Sequence, residues 1–241
     1  MLTTKTAIFI NRLEDADRHD SVQRSILAAR FSPVRIEAIT PDKLPSIIIQ
    51  GFILHHNASV MACLCSHLLA IKRIAESSVI QGWALVVEDD CILADFIDFD
   101  KVVSEAPDDW GVLQLSTSHV EVQLGLDAYF QEFHLLWHAW RDPHWGSHAY
   151  IISKQAACFL TQKFFQGESI LLAGLYLPRH TVADALIFRY VNTYTSCFPL
   201  AYQESFFSTI FSGEKGLDND RFPTVCTSIW LRSGPPREFS L

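Results

Sequence analysis

Three consecutive carboxylates, Glu88, Asp89 and Asp90, directly follow the apolar run 82–87. Adjacent carboxylates repel one another, and a bound cation makes such a cluster easier to maintain. Mg²⁺ and Mn²⁺ prefer oxygen ligands and commonly bridge one or two protein carboxylates to a diphosphate. In an extended chain Glu88 and Asp90 point to one side and Asp89 to the other, so we expect Glu88 and Asp90 to hold the metal. The alternative interpretation is a solvated turn or helix cap.

A second candidate is the segment 62–67, which reads Ala-Cys-Leu-Cys-Ser-His. Neighbouring residues of a helix do not face each other, so Ser66 and His67 are not a nucleophile and its base. The chain also lacks the G-x-S-x-G elbow of serine hydrolases. The spacing of Cys63 and Cys65 fits structural zinc sites poorly, and the ten histidines form no H-E-x-x-H set. We therefore expect no zinc site, and because a chain of this size and apolar content needs no disulfide framework, we read the six cysteines as reduced.

The stretch 137–145 is rich in tryptophan and histidine. Indole rings stack on sugar faces, so Trp140, with Asp142 and His148 nearby, could form a platform for a saccharide. The alternative is that these tryptophans fill a core between irregular loops. His148 could contact phosphates or a metal, or it could order its own loop.

The surrounding pattern predicts a sheet with helices around it. Residues 6–10 and 34–39 read as strands on either side of an amphipathic helix over 13–30, which implies a parallel pair. The apolar run 82–87 reads as a central strand that delivers the carboxylates at its C-terminal end. In open parallel sheets, ligands bind outside that end of the strands.

The other predicted elements are less regular. Strands are expected at 112–115 and 149–152, and helices at 59–76, 154–164 and 181–190, with Ser59 and Ser153 as the N-caps of the first two. We assign no element to 47–54, to 116–146 or to 199–241, and expect a loosely held tail from Ser233 onward. The expected fold is α/β, with a mostly parallel central sheet flanked by helices.

Length and charge limit the function. The chain has 241 residues and a net charge of −8, with no block of Lys or Arg, which argues against nucleic-acid binding. We expect one domain over 1–241, with a core at roughly 5–205 and a C-terminal extension at 206–241. Apolar stretches are far shorter than the ~20 residues of a membrane span, and no signal peptide is evident, so a cytoplasmic location is expected.

Several motifs, in order, resemble glycosyltransferase family 25, which includes bacterial lipooligosaccharide galactosyltransferases and collagen galactosyltransferase domains. The similarity runs from about Ala7 to Gln203. The motifs are Ile10-Asn11-Arg12 with Asp17-Arg18, Glu37-Ala38, the segment 62–67, Ala84 to Asp90, Gly146 to Ser153, and Ala183-Asp184.

The resemblance implies a GT-A type, Rossmann-like single domain that transfers a hexose, commonly galactose from a UDP-sugar, with inversion and usually with Mn²⁺. Carried over by position, Glu88 and Asp90 bind the Mn²⁺ or Mg²⁺. The residues implied to contact the donor are Asn11, Arg12, Ala38, Ser66, His67, Glu88 and Asp89.

An inverting transfer also needs a general base for the acceptor hydroxyl. We assign Asp184 to this role, with Asp89 or Asp142 as alternatives. Because the bacterial branch needs no signal peptide, the expected acceptor is a saccharide or lipid-linked glycan of a lipooligosaccharide or related surface glycan. Contact with the inner membrane is then at most peripheral.

Two other functions stay open at this point. A degenerate family member would bind a nucleotide sugar or carbohydrate without turnover. A sugar-phosphate nucleotidyltransferase would also use carboxylate-bound Mg²⁺, but that class opens with a glycine-rich loop, and residues 11–17 contain no glycine.

Overall fold

The computed structural model describes residues 5–44, 48–49, 57–172, 182–204, 216–233 and 240. The helices are α1 (Ala16–Ala28), α2 (Ala58–Glu76), α3 (Phe99–Ser104), α4 (Val120–Phe133), α5 (Lys154–Phe164), α6 (Ala183–Arg189) and α7 (Gly216–Ser233), with a 3₁₀ turn at Pro41–Lys43. The strands are β1 (Thr6–Asn11), β2 (Ser32–Glu37), β3 (Ile48–Ile49), β4 (Trp83–Glu88), β5 (Cys91–Leu93), β6 (Val112–Gln114), β7 (Trp137–Ala139), β8 (Ala149–Ser153), β9 (Phe165–Gln166), β10 (Ser169–Leu171), β11 (Thr193–Ser196) and β12 (Ala201–Gln203).

A seven-stranded mixed sheet in the order β2-β1-β4-β8-β6-β11-β7 forms the centre. The pairs β1/β2, β1/β4 and β6/β11 are parallel, whereas β8 and β7 run against their neighbours. Five of the seven strands therefore share one direction. The predicted α/β fold with a mostly parallel sheet and the parallel β1/β2 pair are confirmed.

Alternating side chains of the strands divide the interior into two cores. In β1 and β4, Phe9 and Val87 pack into a core with α1, α4 and α7. Ile8 and Val86 pack on the opposite face with α2, α5 and α6. The sheet is therefore covered by helices on both faces, and β4 lies next to β1 with no exposed surface along its middle.

Helix α2 is the main core helix of its layer. Within the part of the chain that the structure describes, it alone has the length and apolar character of a membrane-spanning helix. Eleven of its residues are buried, and it packs on α5, α6 and β1. Burial against the sheet accounts for this apolar composition.

The capping residues in the sequence predicted the start of one helix correctly and that of another incorrectly. Ser153 caps α5 as predicted, by accepting a hydrogen bond from the Ala156 amide. The cap of α2 is Asn57 rather than Ser59, whose amide donates to the Asn57 side chain. In the unassigned stretches the structure adds β3, α4, β7, β12 and α7. Helix α7 packs on α4 and β12, so this part of the extension belongs to the folded core.

Some predictions lie outside the described residues. These are most of the segment 47–54, the start of the predicted helix at Thr181, and the tail residues 234–239. The domain limits 1–241 stay a prediction.

We expect Leu68→Ala to lower the free energy of unfolding by about 3 kcal/mol, because it opens a cavity in the α2 layer. Leu68 has no exposed surface. The matched control is Leu231→Ala on α7, where the side chain is 88% exposed and the loss should stay within about 0.5 kcal/mol. Urea unfolding at pH 7 measures both, and equal losses would contradict a core role for α2.

Candidate active site

A cleft of about 150 Å³ opens at the carboxyl end of β4, where β1 and β2 also end. This is the edge at which α/β sheets usually bind ligands. Its lining residues come from the ends of β1, β2 and β4, from the first turns of α1 and α2, and from β12. They are Ile10, Arg12, Arg18, Ala38, Ile39, Thr40, Pro41, Ser59, Ala62, Cys63, Ser66, His67, Glu88, Asp89, Asp90 and Gln203.

Glu88 is the last residue of β4 and faces α2. Its Oε1 lies 3.2 Å from His67 Nε2 and accepts a hydrogen bond from Ser147 Oγ at 3.0 Å. The Nδ1 of His67 lies 3.2 Å from the Tyr150 hydroxyl, so both ring nitrogens have a partner. Burial raises the pKa of Glu88, but the hydrogen bond and charge of His67 outweigh it and leave the pKa below its usual value. Glu88 is therefore held ionised.

Asp89 faces β1 and α1 instead. It accepts hydrogen bonds from Asn11 Nδ2 at 2.9 Å and from Arg18 at 3.3 Å. Burial raises its pKa, and these two partners oppose that shift. Asn11 does not line the cleft itself but holds Asp89, which does.

Asp90 is the least compensated of the three carboxylates. One oxygen accepts a hydrogen bond from Gln203 Nε2 at 2.7 Å, while Oδ1 is buried and has no partner. Burial and the charge of Glu88 raise the pKa of Asp90 to about 7. Residues 89 and 90 form a turn, so the alternation of β4 ends at Glu88. Glu88 and Asp90 nonetheless line the same cleft, as the sequence predicts.

Ser66 shapes the opposite wall of the cleft. Its hydroxyl donates to the Ala62 carbonyl and accepts a hydrogen bond from the Ile39 amide, both at 2.8 Å. The amide of Ala38 donates to the Asn11 carbonyl at 3.0 Å. The segment after β2 is therefore tied to both α2 and β1, and it presents backbone and small side chains to the cleft.

Asp184 lies in the first turn of α6 and is not among the residues that line the cleft. Its two carboxylate oxygens accept hydrogen bonds from the amides of Gly146, at 2.9 Å, and Ala185, at 2.7 Å. Burial raises its pKa, with these amides opposing the shift and Glu88 adding to it. Gly146 has φ +125°, and a Cβ there would lie 2.8 Å from the Ser118 nitrogen. Asp184 thus binds the backbone of a loop in which position 146 can hold only glycine.

Side chains of the central sheet hold that loop, which we define as residues 140–148. Gln114 of β6 donates to the carbonyls of His144, at 3.1 Å, and Gly146, at 2.8 Å. Thr195 of β11 lies 3.0 Å from His144 Nδ1. Burial lowers the pKa of His144 to about 4, with the charges of His138 and Arg141 contributing. The loop therefore depends on a neutral His144.

His148, at the end of the loop, is buried. Its Nε2 lies 2.8 Å from Ser116 Oγ, while Nδ1 is buried and has no partner. Burial lowers its pKa to about 4. The backbone carbonyl of His148 accepts a hydrogen bond from the Glu88 amide at 2.8 Å, which joins the loop to β4.

The predicted acceptor residues Trp140 and Asp142 are not among the residues that line the cleft. The indole N–H of Trp140 donates to the His144 carbonyl at 2.7 Å, and its ring packs edge-on against Phe188. Asp142 pairs with Arg189 at 2.5 Å on the surface. Both contacts stabilise the loop, and the acceptor role of Trp140, Asp142 and His148 stays a prediction.

Among the lining residues that sequence reasoning left out of the candidate set, Arg18 and Gln203 hydrogen-bond the carboxylates. Arg18 lies in the first turn of α1, which follows the carboxyl end of β1, so its position was an available signal. Gln203 lies 113 residues from Asp90 and ends the short strand β12. No local pattern marks such a residue.

No family model and no curated protein matches the chain. Among solved structures, a galactosyltransferase LgtC in complex with donor and acceptor sugar analogs is 11% identical, with 92% of this chain and 95% of that chain covered and a TM-score of 0.35. An active-site mutant of LgtC is 10% identical over the same shares, with a TM-score of 0.33. These scores lie too low for a structural argument, and membership of family 25 stays a prediction.

We expect the stability of the 140–148 loop to depend on pH. The pKa of His144 is about 4 in the folded chain and ~6.5 in the unfolded chain. The unfolded chain thus binds a proton first as the pH falls, and stability present above pH ~6.5 is lost progressively towards pH ~4. The loss is roughly 2 kcal/mol after allowance for solvent screening.

Unfolding free energies from pH 7 to 4.5 measure this effect. His144→Asn should reduce the slope in this window, and His148, whose pKa is also about 4, should account for the slope that remains. His134→Asn, which removes an exposed imidazole at the end of α4, should keep the wild-type profile. A wild-type slope in His144→Asn would show that His144 is not the group responsible.

Proposed function

We propose that this chain is a metal-dependent glycosyltransferase that moves a hexose from a nucleotide diphosphate sugar to a saccharide acceptor. The observation that carries the proposal is the cleft at the carboxyl end of β4, in which two buried carboxylates, the half-buried Glu88 and two arginines converge. Carboxylates recruit a divalent cation, and arginines bind phosphate oxygens. A diphosphate group can bind both the divalent cation and the arginines.

The carboxylates fit a hard divalent cation. Asp90 has a buried oxygen without a partner, and its pKa of about 7 shows that its charge lacks compensation. Glu88 is ionised beside it. Glu88 and Asp90 would hold Mn²⁺ or Mg²⁺, which when bound would neutralise negative charge on the departing diphosphate. Asp89 would act on the protein itself, by fixing Asn11 and Arg18.

The remaining walls suit the rest of the donor. Arg12 and Arg18 follow the end of β1, and both line the cleft. They would contact the diphosphate, with Arg18 oriented by Asp89. The segment 38–41 and Ala62 provide small side chains and backbone, against which a flat nucleoside base can lie. Ser66 would position that wall, and His67 would orient Glu88.

Asp184 is our proposed general base for the acceptor hydroxyl. Each of its oxygens accepts one amide hydrogen bond, and a carboxylate oxygen has a second lone pair that can take a proton. Burial raises its pKa towards the range useful for a base. Asp142 is exposed and paired with Arg189, and Asp89 is bonded to Asn11 and Arg18, so both suit this role less well.

The finer identity of the reaction follows from the family resemblance alone. We propose UDP-galactose as the donor, inversion at the anomeric carbon, and a GT-A type fold. The proposed acceptor is a bacterial lipooligosaccharide or related surface glycan. The protein would then work in the cytoplasm, with at most peripheral contact with the inner membrane.

Donor binding tests the metal role. We expect one UDP-sugar, from a panel of UDP- and CMP-sugars, to raise the Tm by about 5–10 °C at a hundredfold excess over Kd, and only with Mn²⁺ present. Asp90→Asn should abolish this rise, because it removes a ligand charge. Glu132→Gln, which removes an exposed carboxylate on α4, should preserve it. If no sugar stabilises the folded wild-type protein, the donor site is not where we place it.

Turnover tests the base. We expect Asp184→Asn to lower kcat by roughly 100-fold or more while the donor Kd stays unchanged, because the amide cannot take the proton of the acceptor hydroxyl, and an unchanged Tm would show that the 140–148 loop is still held. Asp142→Asn serves as the control and should leave kcat near wild type. Activity measured as nucleotide release, with donor affinity measured by calorimetry, separates the two effects. Donor binding without turnover in the wild-type protein would instead indicate a degenerate member.

A further inference from the structure

The cleft contains a second set of possible metal ligands, which differs in chemistry from the carboxylates. Cys63, His67 and Glu88 each offer one donor atom, and the three atoms lie within 4.8 Å of one another. We propose that these residues form a binding site for a borderline-soft cation of the Zn²⁺ type, with three protein ligands and one open position. This proposal does not depend on the proposed transferase activity.

The geometry comes from two secondary-structure elements. Cys63 and His67 lie four residues apart on α2, so they share the face that packs on the sheet. Glu88 meets them from the end of β4. Bonds of about 2.0–2.2 Å in tetrahedral geometry place nitrogen and oxygen ligands ~3.3 Å apart. The observed separation of His67 Nε2 and Glu88 Oε1 is 3.2 Å, so the fold already sets this distance.

Neighbouring side chains hold two of the ligands in orientation. Tyr150 Oη lies 3.2 Å from His67 Nδ1, and it can accept a hydrogen bond from Nδ1–H when Nε2 binds a metal. Ser147 donates to Glu88 Oε1. Such outer contacts fix the tautomer and direction of metal ligands. Cys63 is half-buried and lines the cleft, which gives an ion a route from solvent.

The donor set determines which cation binds. Thiolate and imidazole ligands favour Zn²⁺ or Co²⁺ over Mg²⁺, whose ligands are oxygens. On binding, the Cys63 thiol would lose its proton to solvent and bond to the metal through sulfur, and the Nε2 proton of a neutral His67 would move through solvent to Nδ1, which frees Nε2 to bind the metal beside Glu88. No electron transfer is involved. The sequence predicts no zinc site, because the spacing of Cys63 and Cys65 fits structural zinc sites poorly, and it does not reveal that β4 brings Glu88 to Cys63 and His67.

The site has a consequence that does rest on the proposed function. Glu88 belongs both to this set and to the proposed Mn²⁺ ligands. A Zn²⁺ ion bound to Cys63, His67 and Glu88 would therefore withdraw one carboxylate from the catalytic cation. Zinc should then inhibit a Mn²⁺-dependent transfer.

Cobalt spectroscopy tests the site without any sugar. We expect folded wild-type protein to develop a near-ultraviolet thiolate-to-cobalt charge-transfer band with one equivalent of Co²⁺, and Zn²⁺ to abolish it. Cys63→Ser should lack the band and bind Zn²⁺ roughly 100-fold more weakly. Cys65→Ser, on the same helix but outside the set, should behave as wild type. No band in wild type, or a band kept in Cys63→Ser, would overturn the proposal.

A measurement on the unaltered protein covers the case in which Cys63→Ser does not fold. Zn²⁺ should slow alkylation of Cys63 at least about 10-fold, as followed by mass spectrometry, but leave the rate at Cys158, which is also half-buried, unchanged. Equal rates at Cys63 with and without Zn²⁺ would refute zinc binding there. Neither assay needs a donor, so failure of the transferase proposal would leave both results intact.

Discussion

The site is organised around the removal of three adjacent carboxylates from water at the end of β4, where Asp89 and Asp90 are buried and Glu88 is half-buried. A buried carboxylate is stable only when hydrogen bonds or opposite charges compensate it. Glu88 has His67 and Ser147, and Asp89 has Asn11 and Arg18. Asp90 has Gln203 for one oxygen and no partner for the other.

These partners come from every layer of the fold. Asn11 ends β1, His67 lies on the core helix α2, and Gln203 ends β12. Each of these elements packs against the rest of the fold independently of the carboxylates. The positions of the carboxylates therefore depend on the packing of the whole sheet and not only on the turn at residues 89 and 90. Correct packing of both helical layers is therefore a condition for the charge arrangement in the cleft.

The sequence predicted the site best where a signal was local. An apolar run ending in Glu88-Asp89-Asp90 marks both the strand and the edge at which ligands bind, and Ser153 marks the start of α5. Helix α4 was missed because Val120, Val122, Leu124 and Leu126 alternate as in a strand. This helix also buries polar Gln123 and Asp127, whose partners, the Cys197 carbonyl and Arg232, are distant in the chain. Helix α7 contains Pro223, which argued against a helix.

Contacts across the sheet lay beyond such patterns. Gln203 supports Asp90, and Gln114 supports the 140–148 loop, but neither has a distinctive sequence neighbourhood. Likewise, Cys63 and His67 become possible metal ligands only because β4 brings Glu88 to α2. The sequence defines which chemical groups are available, whereas the strand order defines which groups meet.

The charge balance of the cleft explains why a cation and a diphosphate would bind together. Three carboxylates and two guanidinium groups line the cleft, and Arg12 is already paired with Asp15 and Glu14, so the cleft is net negative when its carboxylates are ionised. An anionic diphosphate alone would be repelled by that charge. A divalent cation would offset it and would lower the pKa of Asp90 by stabilising its ionised form. Under the proposed function, cation binding would therefore precede and favour diphosphate binding.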